Sequence, residues 1–483
     1  MSGVTAQIGE GQRLHNHGKG RRVHGGGPSY LSPAERREKG RELRDAAPRQ
    51  AHGEWKRPKN RRDPIDLLNE SNAGRLPRLI PIRFGRMMQS PFAFYRGSAA
   101  VMAADLASTP VSGIRVQACG DAHLSNFGAF ATPERRVIFD INDFDETLPG
   151  PWEWDLKRLT ASFVLAGRHI GLPETASTRA VMATARRYRE RMADYAEMRA
   201  LDVWYDAIDI DRFLKEIDTE STRQRVQERL KTRLKTAYEK STPDYLYPKF
   251  IRHQGAVPVI ADDPPLIFHP TRNIAPGMES HYKEGFARYR ESLPEHIRTL
   301  FDRYRFCDLA LKVVGVGSVG TQCAIALFIA ADDDPIFLQI KEATASVLEP
   351  YAGRSLHKDH GQRVVTGQKL MQAASDLFLG WSRGVSGNHF YVRQLRDMKL
   401  SAVIEDFDAA DLRNYGRLCG WALARAHARS GDPAMISGYI GSSETFDTAI
   451  CEFAVQYADQ AQHDHRTFVK AIREGRIKAT IES

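Results

Sequence analysis

The stretch CGDAHLSNFGAFATPERRVIFDINDFDE, residues 119–146, contains the residue types that decide how this chain is interpreted. Asp121 lies in a Gly-Asp-x-His-x-x-x turn that Asn126 closes. A strand-like run, RVIFDI at 136–141, leads into a second acidic cluster, DFDE at 143–146. Phosphoryl transfer requires this set: a carboxylate beside the attacking hydroxyl, and an Asn and an Asp that hold Mg²⁺ on the nucleotide phosphates.

These residues receive separate roles in that chemistry. We predict that Asp121 is the general base that accepts the proton of the attacking hydroxyl. Asn126 and Asp143 are the predicted Mg²⁺ ligands, because this cation prefers oxygen ligands. Asp140 is the alternative metal ligand, since the length of the hairpin leaves its register open. Asp145 is a candidate ligand for a second ion.

Two other interpretations fit part of the same stretch. Gly-Asp pairs form turns and acidic clusters are often solvated loops, so Gly120-Asp121 alone is weak support for a site. A metallohydrolase is the sharper alternative, because His123 together with Asp121, Asp140 and Asp143 could ligate a metal. Within the phosphotransferase hypothesis, we expect His123 to brace the loop rather than take part in the chemistry.

A second motif lies far downstream, in VVGVGSVGT at 313–321. Gly315, Gly317 and Gly320 form a Gly-x-Gly-x-x-Gly element, which also suits a dinucleotide-binding fold. In such a fold the loop opens a helix, whereas QCAIALFIA at 322–330 has no N-cap residue and is almost wholly apolar. That composition predicts a buried strand instead.

A third strand is predicted at 335–343, PIFLQIKEA, and it carries Lys341. A glycine loop between two strands, followed by a strand with a lysine, is the arrangement that holds nucleotide phosphates in kinases. The residues predicted to bind ATP are Gly315, Gly317, Ser318, Gly320 and Lys341, and Lys341 is also a predicted catalytic residue.

Taken together, these motifs resemble the aminoglycoside phosphotransferase branch of the protein-kinase-like superfamily. In that branch the glycine loop and the lysine precede the catalytic aspartate, but here they follow it. The resemblance therefore implies an α+β, two-lobed, protein-kinase-like fold that is circularly permuted, with a small antiparallel β lobe and a large mainly helical lobe. The same order resembles an uncharacterised bacterial family, domain of unknown function 2252, together with RMMQSPFAFYRG at 86–97, PGPWEWDLKR at 149–158 and GQRVVTG at 361–367.

The kinase resemblance implies further roles. Asp155 is expected to accept hydrogen bonds from the backbone of the catalytic loop. The end of the helix predicted at 415–428 is expected beside the strand that leads into Asp121. The lysine usually pairs with a glutamate of the next helix, yet QRVVTGQK at 362–369 has no acid. The candidate partners of the lysine are Glu342 and Glu349.

The resemblance and the composition also divide the chain. We predict a basic, largely disordered tail at 1–62, a large lobe at 63–304, a small nucleotide-binding lobe at 305–400, and a return to the large lobe at 401–483. The tail has 15 Lys and Arg against 6 Asp and Glu, whereas the rest of the chain has 54 of each. The tail could contact anionic partners, and a short helix is expected to start at Ser32-Pro33.

Composition excludes several other classes of protein. The hydrophobic fraction of 42% supports a folded core, but there is no apolar run long enough for a membrane span. No secretory signal is apparent, and the five cysteines form no Cys-x-x-Cys pair. We therefore expect a cytoplasmic protein.

The function expected from these residues is an ATP- and Mg²⁺-dependent phosphotransferase that acts on an unidentified hydroxyl acceptor. Two alternatives remain on the same fold. One is a nucleotidyl transferase that transfers AMP, and the other is a catalytically inactive, nucleotide-binding regulatory protein.

Overall fold

The computed structural model describes most of the chain. The described residues are 31–217, 219–241, 250–255, 257–264, 266–269, 278–313, 319–331, 334–395 and 399–481. Of the predicted nucleotide-binding residues, Gly315, Gly317 and Ser318 lie outside the described residues, as does the tail up to residue 30.

The described elements make a mixed α+β protein with 54% helix and 16% strand, which confirms the predicted α+β class. The helices are α1 (Pro33–Glu42), α2 (Pro64–Glu70), α3 (Ile80–Met88), α4 (Pro91–Gly97), α5 (Ala99–Leu106), α6 (Trp152–His169), α7 (Glu174–Glu197), α8 (Ala200–Tyr205), α9 (Ile210–Leu214), α10 (Glu220–Ser241), α11 (Met278–Ser292), α12 (Glu295–Phe301), α13 (Glu349–Ala352), α14 (His360–Met371), α15 (Ala409–Ser430), α16 (Pro433–Ile440) and α17 (Thr445–Arg473).

The strands form small antiparallel sheets. They are β1 (Arg115–Ala118), β2 (Phe127–Ala131), β3 (Val137–Ile141), β4 (Leu148–Pro151), β5 (Ile208–Asp209), β6 (Ile251–Gln254), β7 (Val257–Ile260), β8 (Ile267–Phe268), β9 (Arg305–Lys312), β10 (Cys323–Ile329), β11 (Pro335–Ala343), β12 (Gly380–Arg383), β13 (His389–Gln394) and β14 (Leu400–Ser401).

The largest sheet has six strands in the order β12-β13-β11-β10-β9-β8. Every residue of β10 is buried, which explains its uninterrupted apolar sequence and confirms the strand predicted after the glycine loop. One face of the sheet packs on the β6–β7 hairpin, through residues such as Ile251 and Ile325, and the other packs on α11 and α12, through residues such as Tyr289 and Phe328. The segment after the glycine loop is therefore a strand, not the helix that a dinucleotide-binding fold would have there.

The helical part of the molecule surrounds α6, in which all residues from Trp152 to Gly167 are buried. Helices α7 and α15 approach each other closely because glycines lie at their contact. A Cβ atom at Gly420 would lie 2.4 Å from the Thr184 carbonyl oxygen. This close packing fixes α15, whose C-terminal end reaches the site described below.

Two predicted boundaries are corrected. Residues 31–62 are folded: Ser32 caps α1 as predicted, and α1 packs on α16. The Arg61 side chain is 3% exposed and pairs with Asp105 at 2.7 Å and Asp464 at 2.6 Å, so charge in this segment is neutralised inside the protein. The described residues of 250–304 pack on the six-stranded sheet, whereas the sequence-based prediction assigned them to the large lobe with 63–249. Sequence alone does not show which sheet an inserted segment covers.

Within the described ranges, none of the helices combines the length and the apolar composition that crossing a membrane requires.

Candidate functional site

The loop that carries Asp121 is held by backbone hydrogen bonds. It follows β1, and Gly120 has a φ of +82°, where a Cβ atom would lie 2.4 Å from the Glu146 carbonyl oxygen. The Asp155 carboxylate, in the first turn of α6, accepts hydrogen bonds from the backbone N–H groups of Cys119 (2.5 Å) and Gly120 (2.9 Å). The structure thus confirms the bracing role predicted for Asp155.

The C-terminal end of α15 lies beside the same loop. The Gln117 backbone N–H donates to the Ser430 hydroxyl at 3.2 Å, and His427 Nε2 lies 3.2 Å from the Asp155 carboxylate. The predicted contact between this helix end and the strand leading into Asp121 is therefore present, although the two segments are at opposite ends of the chain.

Asp121 itself pairs with a buried arginine. Arg158 of α6 donates to Asp121 Oδ1 from Nε at 2.6 Å and from Nη2 at 2.5 Å, while the Asp121 side chain stays 20% exposed. Burial raises the pKa of Asp121, and Arg158 offsets only part of that rise. His123 Nε2 lies 3.9 Å from Asp121 Oδ2, and burial lowers the pKa of His123 well below its ordinary value, so its imidazole is neutral.

Asn126 ends the short 3₁₀ turn that follows this loop. Its amide Nδ2 donates to the Asp121 backbone carbonyl at 2.7 Å, which fixes the side chain beside the predicted base. Since this hydrogen bond uses the amide nitrogen, the side-chain oxygen is the atom through which Asn126 would bind a cation.

The second acidic cluster contacts the six-stranded sheet. Lys341 Nζ of β11 donates to Asp145 Oδ2 at 2.7 Å, and the Tyr391 hydroxyl donates to Asp145 Oδ1 at 2.6 Å. Burial raises the pKa of Asp145, but Lys341 and Tyr391 outweigh it and the pKa falls to about 2. Burial and the neighbouring Asp145 raise the pKa of Asp143, which Lys341, Arg393 and Lys399 lower in part.

Asp140 does not share this environment. Its carboxylate is completely buried in β3, where Arg425 Nη2 lies 2.7 Å from each of its oxygens. The backbone N–H groups of Ile141 and Ala373 also donate to it, each at 2.9 Å. Both oxygens of Asp140 are occupied by protein donors, which disfavours the alternative prediction that Asp140 is a metal ligand.

The proposed acidic partners of Lys341 are also corrected. Glu342 lies on the opposite face of β11 because side chains alternate along a strand, and it accepts hydrogen bonds from the Gln322 N–H and the Asn388 amide. Glu349 has no contact with Lys341 among the described residues. The partner is Asp145, which the sequence placed only on the metal-binding loop.

Helix α14 contributes an arginine, Arg363, whereas the kinase resemblance implies a glutamate on this helix. The buried Arg363 donates to the backbone carbonyls of Asp145 (2.8 Å), Thr147 (2.6 Å) and Thr344 (2.8 Å). It therefore joins the acidic loop to the end of β11. No charge pattern in the sequence indicated this role, because the partners of Arg363 are backbone atoms.

The described end of the glycine loop contacts the segment between α2 and α3. The Leu76 N–H donates to the Gly320 carbonyl at 2.7 Å, and Arg75 Nη1 donates to the Val319 carbonyl at 2.6 Å. Gly320 has a φ of +91°, which favours glycine there.

A polar cavity of about 290 Å³ lies between the segment that carries α2–α5, the two acidic loops and the residues that follow β11. The charged residues that line it are Glu70, Arg75, Arg83, Arg96, Asp121, Asp143, Asp145 and Glu146. Sequence reasoning missed the arginines, although Arg96 lies in the quoted motif at 86–97 and Arg158 follows Asp155 by one helical turn, a spacing that puts both on one helix face.

Among the described residues, no group of three or more His, Cys, Asp or Glu side chains is arranged to hold a metal ion. Mg²⁺ commonly takes only one or two carboxylates from a protein, so this finding does not bear on a Mg²⁺ site with one carboxylate and one amide oxygen.

A family model described as "Uncharacterized protein conserved in bacteria (DUF2252)" matches residues 75–471, most of the chain. The chain belongs to this family. No curated protein and no solved structure matches it. The matched region begins at Arg75, so it includes the arginine-bearing segment, the Asp121 loop and the six-stranded sheet.

Proposed function

We propose that this protein is an ATP- and Mg²⁺-dependent phosphotransferase that acts on a hydroxyl acceptor. The observation that carries the proposal is the hydrogen bond from Lys341, on the six-stranded sheet, to Asp145, which lines one cavity together with Asp121 and Asp143. These groups lie far apart in the sequence, and each supplies a separate requirement of phosphoryl transfer.

The reaction assigns a step to Asp121. The acceptor oxygen forms a bond to the γ-phosphorus, the bond from that phosphorus to the β,γ-bridging oxygen breaks, ADP leaves, and the hydroxyl proton passes to Asp121. Arg158 engages Oδ1, so Oδ2 is the oxygen that faces the acceptor. Burial raises the pKa of Asp121, which makes its carboxylate a stronger base for this proton.

Asn126 and Asp143 fit a Mg²⁺ site by the chemistry of their donor atoms. The amide oxygen of Asn126 and the carboxylate of Asp143 are hard oxygen ligands. Asp143 Oδ1 accepts the Asp145 N–H at 3.2 Å, which holds the carboxylate at the end of the loop. When bound, the cation would neutralise charge on the β- and γ-phosphates.

Lys341 is proposed to bind phosphate oxygens when ATP is present. In this structure its ammonium pairs with Asp145, and the carboxylates of Asp143 and Asp145 raise its pKa well above the ordinary value despite burial. The ammonium is therefore fully charged at neutral pH. The glycine loop, with Gly320 at its described end, adjoins this side of the cavity through Arg75.

The permuted kinase-like fold is part of the proposal. It is supported by the hydrogen bond between Gln117 and Ser430 and by the Asp155 carboxylate that accepts the backbone N–H groups of the loop. In a chain of conventional order, the end of α15 would continue into β1 through a short connection. Joining the two segments in space while separating them in sequence is what a permutation does.

A nucleotidyl transferase that transfers AMP is the second candidate. It is favoured by the partner of Lys341, which is Asp145 of the predicted metal-binding loop. The lysine does not pair with an acid of α14, with Glu342 or with Glu349. Without a helix acid to orient the lysine, the triphosphate could bind with its α-phosphate toward the acceptor.

The two candidates separate in a labelling experiment on the full chain. Purified protein with Mg²⁺ is incubated with pools of hydroxyl metabolites and with ATP labelled at either the α- or the γ-phosphate. Transfer of γ-label that is lost in Asp121→Asn would support the phosphotransferase. Transfer of α-label would support AMP transfer, and ATP binding with neither transfer would support an inactive regulatory protein.

A further inference from the structure

The cavity contains three arginines that the proposed reaction does not use. Arg75, Arg83 and Arg96 come from the segment containing α2–α4, and all three line the cavity together with Asp121, Asp143 and Asp145. A cluster of arginines in an enclosed polar cavity is costly unless something compensates the charge, because burial disfavours the charged form. Burial lowers the pKa of each of the three guanidinium groups here.

No carboxylate compensates these charges directly. In the part of the chain that the structure describes, none of the three guanidinium groups has a carboxylate oxygen within 4.0 Å. Arg75 donates to the carbonyls of Ser71 and Val319, and Arg83 donates to the Asn72 side chain and the Gly97 carbonyl. These partners are neutral, so the cationic charge remains.

Arg96 is the most available of the three. Its Nε is buried and has no hydrogen-bond partner among the described residues, and its guanidinium lies above the Phe92 ring, 5.9 Å from the centroid. Its charge acts on Asp121, whose pKa it lowers after the larger effects of burial and Arg158. Arg96 and Asp121 line the same cavity, so an acceptor that reaches Asp121 shares that cavity with the Arg96 guanidinium.

The acids of the cavity have their own cationic partners. Asp121 pairs with Arg158, and Asp145 pairs with Lys341. Asp143 is the proposed Mg²⁺ ligand. Glu70 pairs with Arg62, and Glu146 acts on Arg75 and Arg83 from beyond contact distance. The acids that act on Arg96 are Asp121, which Arg158 already engages, and Glu405, so a bound anion would compensate the charge of Arg96.

We propose that the acceptor is a small hydroxyl compound bearing a phosphate or carboxylate group, and that Arg96, assisted by Arg75, binds this group. That the bound compound is the acceptor rests on the proposed function. The presence of an anion site at Arg96 does not depend on it. A volume of about 290 Å³ is close to the lower end of the range of ligand pockets, about 300 Å³, so the acceptor must be small. Guanidinium groups suit both anions, because their donors pair with two oxygens at once.

The test uses the full chain, Mg²⁺, a non-hydrolysable ATP analogue to fill the nucleotide side, and inorganic phosphate as the probe. Calorimetry should show phosphate binding to the wild type, weakened about ten- to hundredfold in Arg96→Gln, the size expected for lost charge-assisted hydrogen bonds. Arg136→Gln is the matched control, because Arg136 is 67% exposed and pairs with Asp209 outside the cavity. Its phosphate affinity should equal that of the wild type.

Two results would overturn the inference. One is phosphate affinity that is unchanged in Arg96→Gln. The other is phosphate that binds only when the ATP analogue is left out, which would assign the arginines to the nucleotide. Arg75→Gln gives a second variant should Arg96→Gln have a lowered melting temperature. The same weakening in Arg75→Gln supports the site, and unchanged affinity in a folded Arg75→Gln counts against it.

Turnover separates this inference from the proposed function. Glycerol and glycerol 3-phosphate, and ethanol and glycolate, are compared as paired acceptors. Higher kcat/KM for the anionic member, with that preference lost in Arg96→Gln and the KM for ATP unchanged, supports both proposals. Phosphate binding through Arg96 without any transfer refutes the phosphotransferase but keeps the anion site, whereas transfer that favours the neutral members refutes the anion site alone.

Discussion

Asp140 and Asp143 are separated by only two residues, yet they belong to different parts of the molecule. Asp140 is inside β3, completely buried, with both oxygens held by Arg425 and two backbone N–H groups. Asp143 lies beyond the end of that strand, on the cavity that contains Asp121. The comparison shows that an acid with satisfied oxygens fixes the fold, whereas an acid facing a cavity is available to a ligand.

The largest expected effect comes from replacing Asp121, the proposed general base. Asp121→Asn should cut turnover about 10²–10⁴-fold, because a positioned general base contributes that much, while ATP affinity and the melting temperature stay close to the wild type. Single-turnover kinetics and calorimetry would measure the two quantities. Full transfer activity in this variant would remove Asp121 from its role.

Removing the cationic partner of Asp140 should lower the free energy of unfolding rather than turnover. Arg425→Met leaves the Asp140 carboxylate buried without its cation, which costs about 3–5 kcal/mol of unfolding free energy for a broken buried pair. Chemical denaturation would measure the loss. A variant as stable as the wild type would show that Asp140 is not a structural acid, and would reopen its assignment to the metal.

Asp143→Ala should change ligand binding with little effect on stability. We expect Mg²⁺-dependent ATP affinity to fall at least about tenfold, ~1.4 kcal/mol, because one of two protein ligands is lost. A Mg²⁺ titration at fixed nucleotide would detect the change. Unchanged Mg²⁺ dependence, with the fold intact, would contradict the metal role of Asp143.

The smallest effect concerns pH and Glu146, which lines the same cavity and accepts the Val347 N–H at 2.8 Å. Burial raises the pKa of Glu146 from 4.5 to about 7, although the Val347 hydrogen bond opposes the rise. The folded state then retains a proton that the unfolded state loses, so this group reduces stability as pH rises from about 4.5 to 7.

Glu146→Gln should remove that loss. Relative to the wild type, the variant should be more stable at pH 8 than at pH 5, as judged by melting temperatures in matched buffers. Val347 keeps an acceptor in the glutamine, so the comparison isolates the charge. An equal difference between variant and wild type at the two pH values would mean that the pKa of Glu146 is not raised.

The sequence predicted the elements better than it predicted their partners. The apolar run at 322–330 identified β10, and Ser32 identified the start of α1, because both signals are local. The role of Asp155 was also predicted, since it came with a motif. The pairing of Lys341 with Asp145 was not predicted, because it joins the six-stranded sheet to a loop about two hundred residues away, and no local pattern encodes their relative position.

By itself, the sequence determined the mixed α+β class, the strand after the glycine loop, the family, and the set of acids among which a site should lie. These follow from periodicity and from motifs read over short distances. Only the tertiary structure decided that Asp140 is closed off by Arg425, that Lys341 meets Asp145, and that Arg96 faces the cavity. Each of these depends on a contact between segments distant in the chain, which forms when packing, rather than local propensity, fixes their positions.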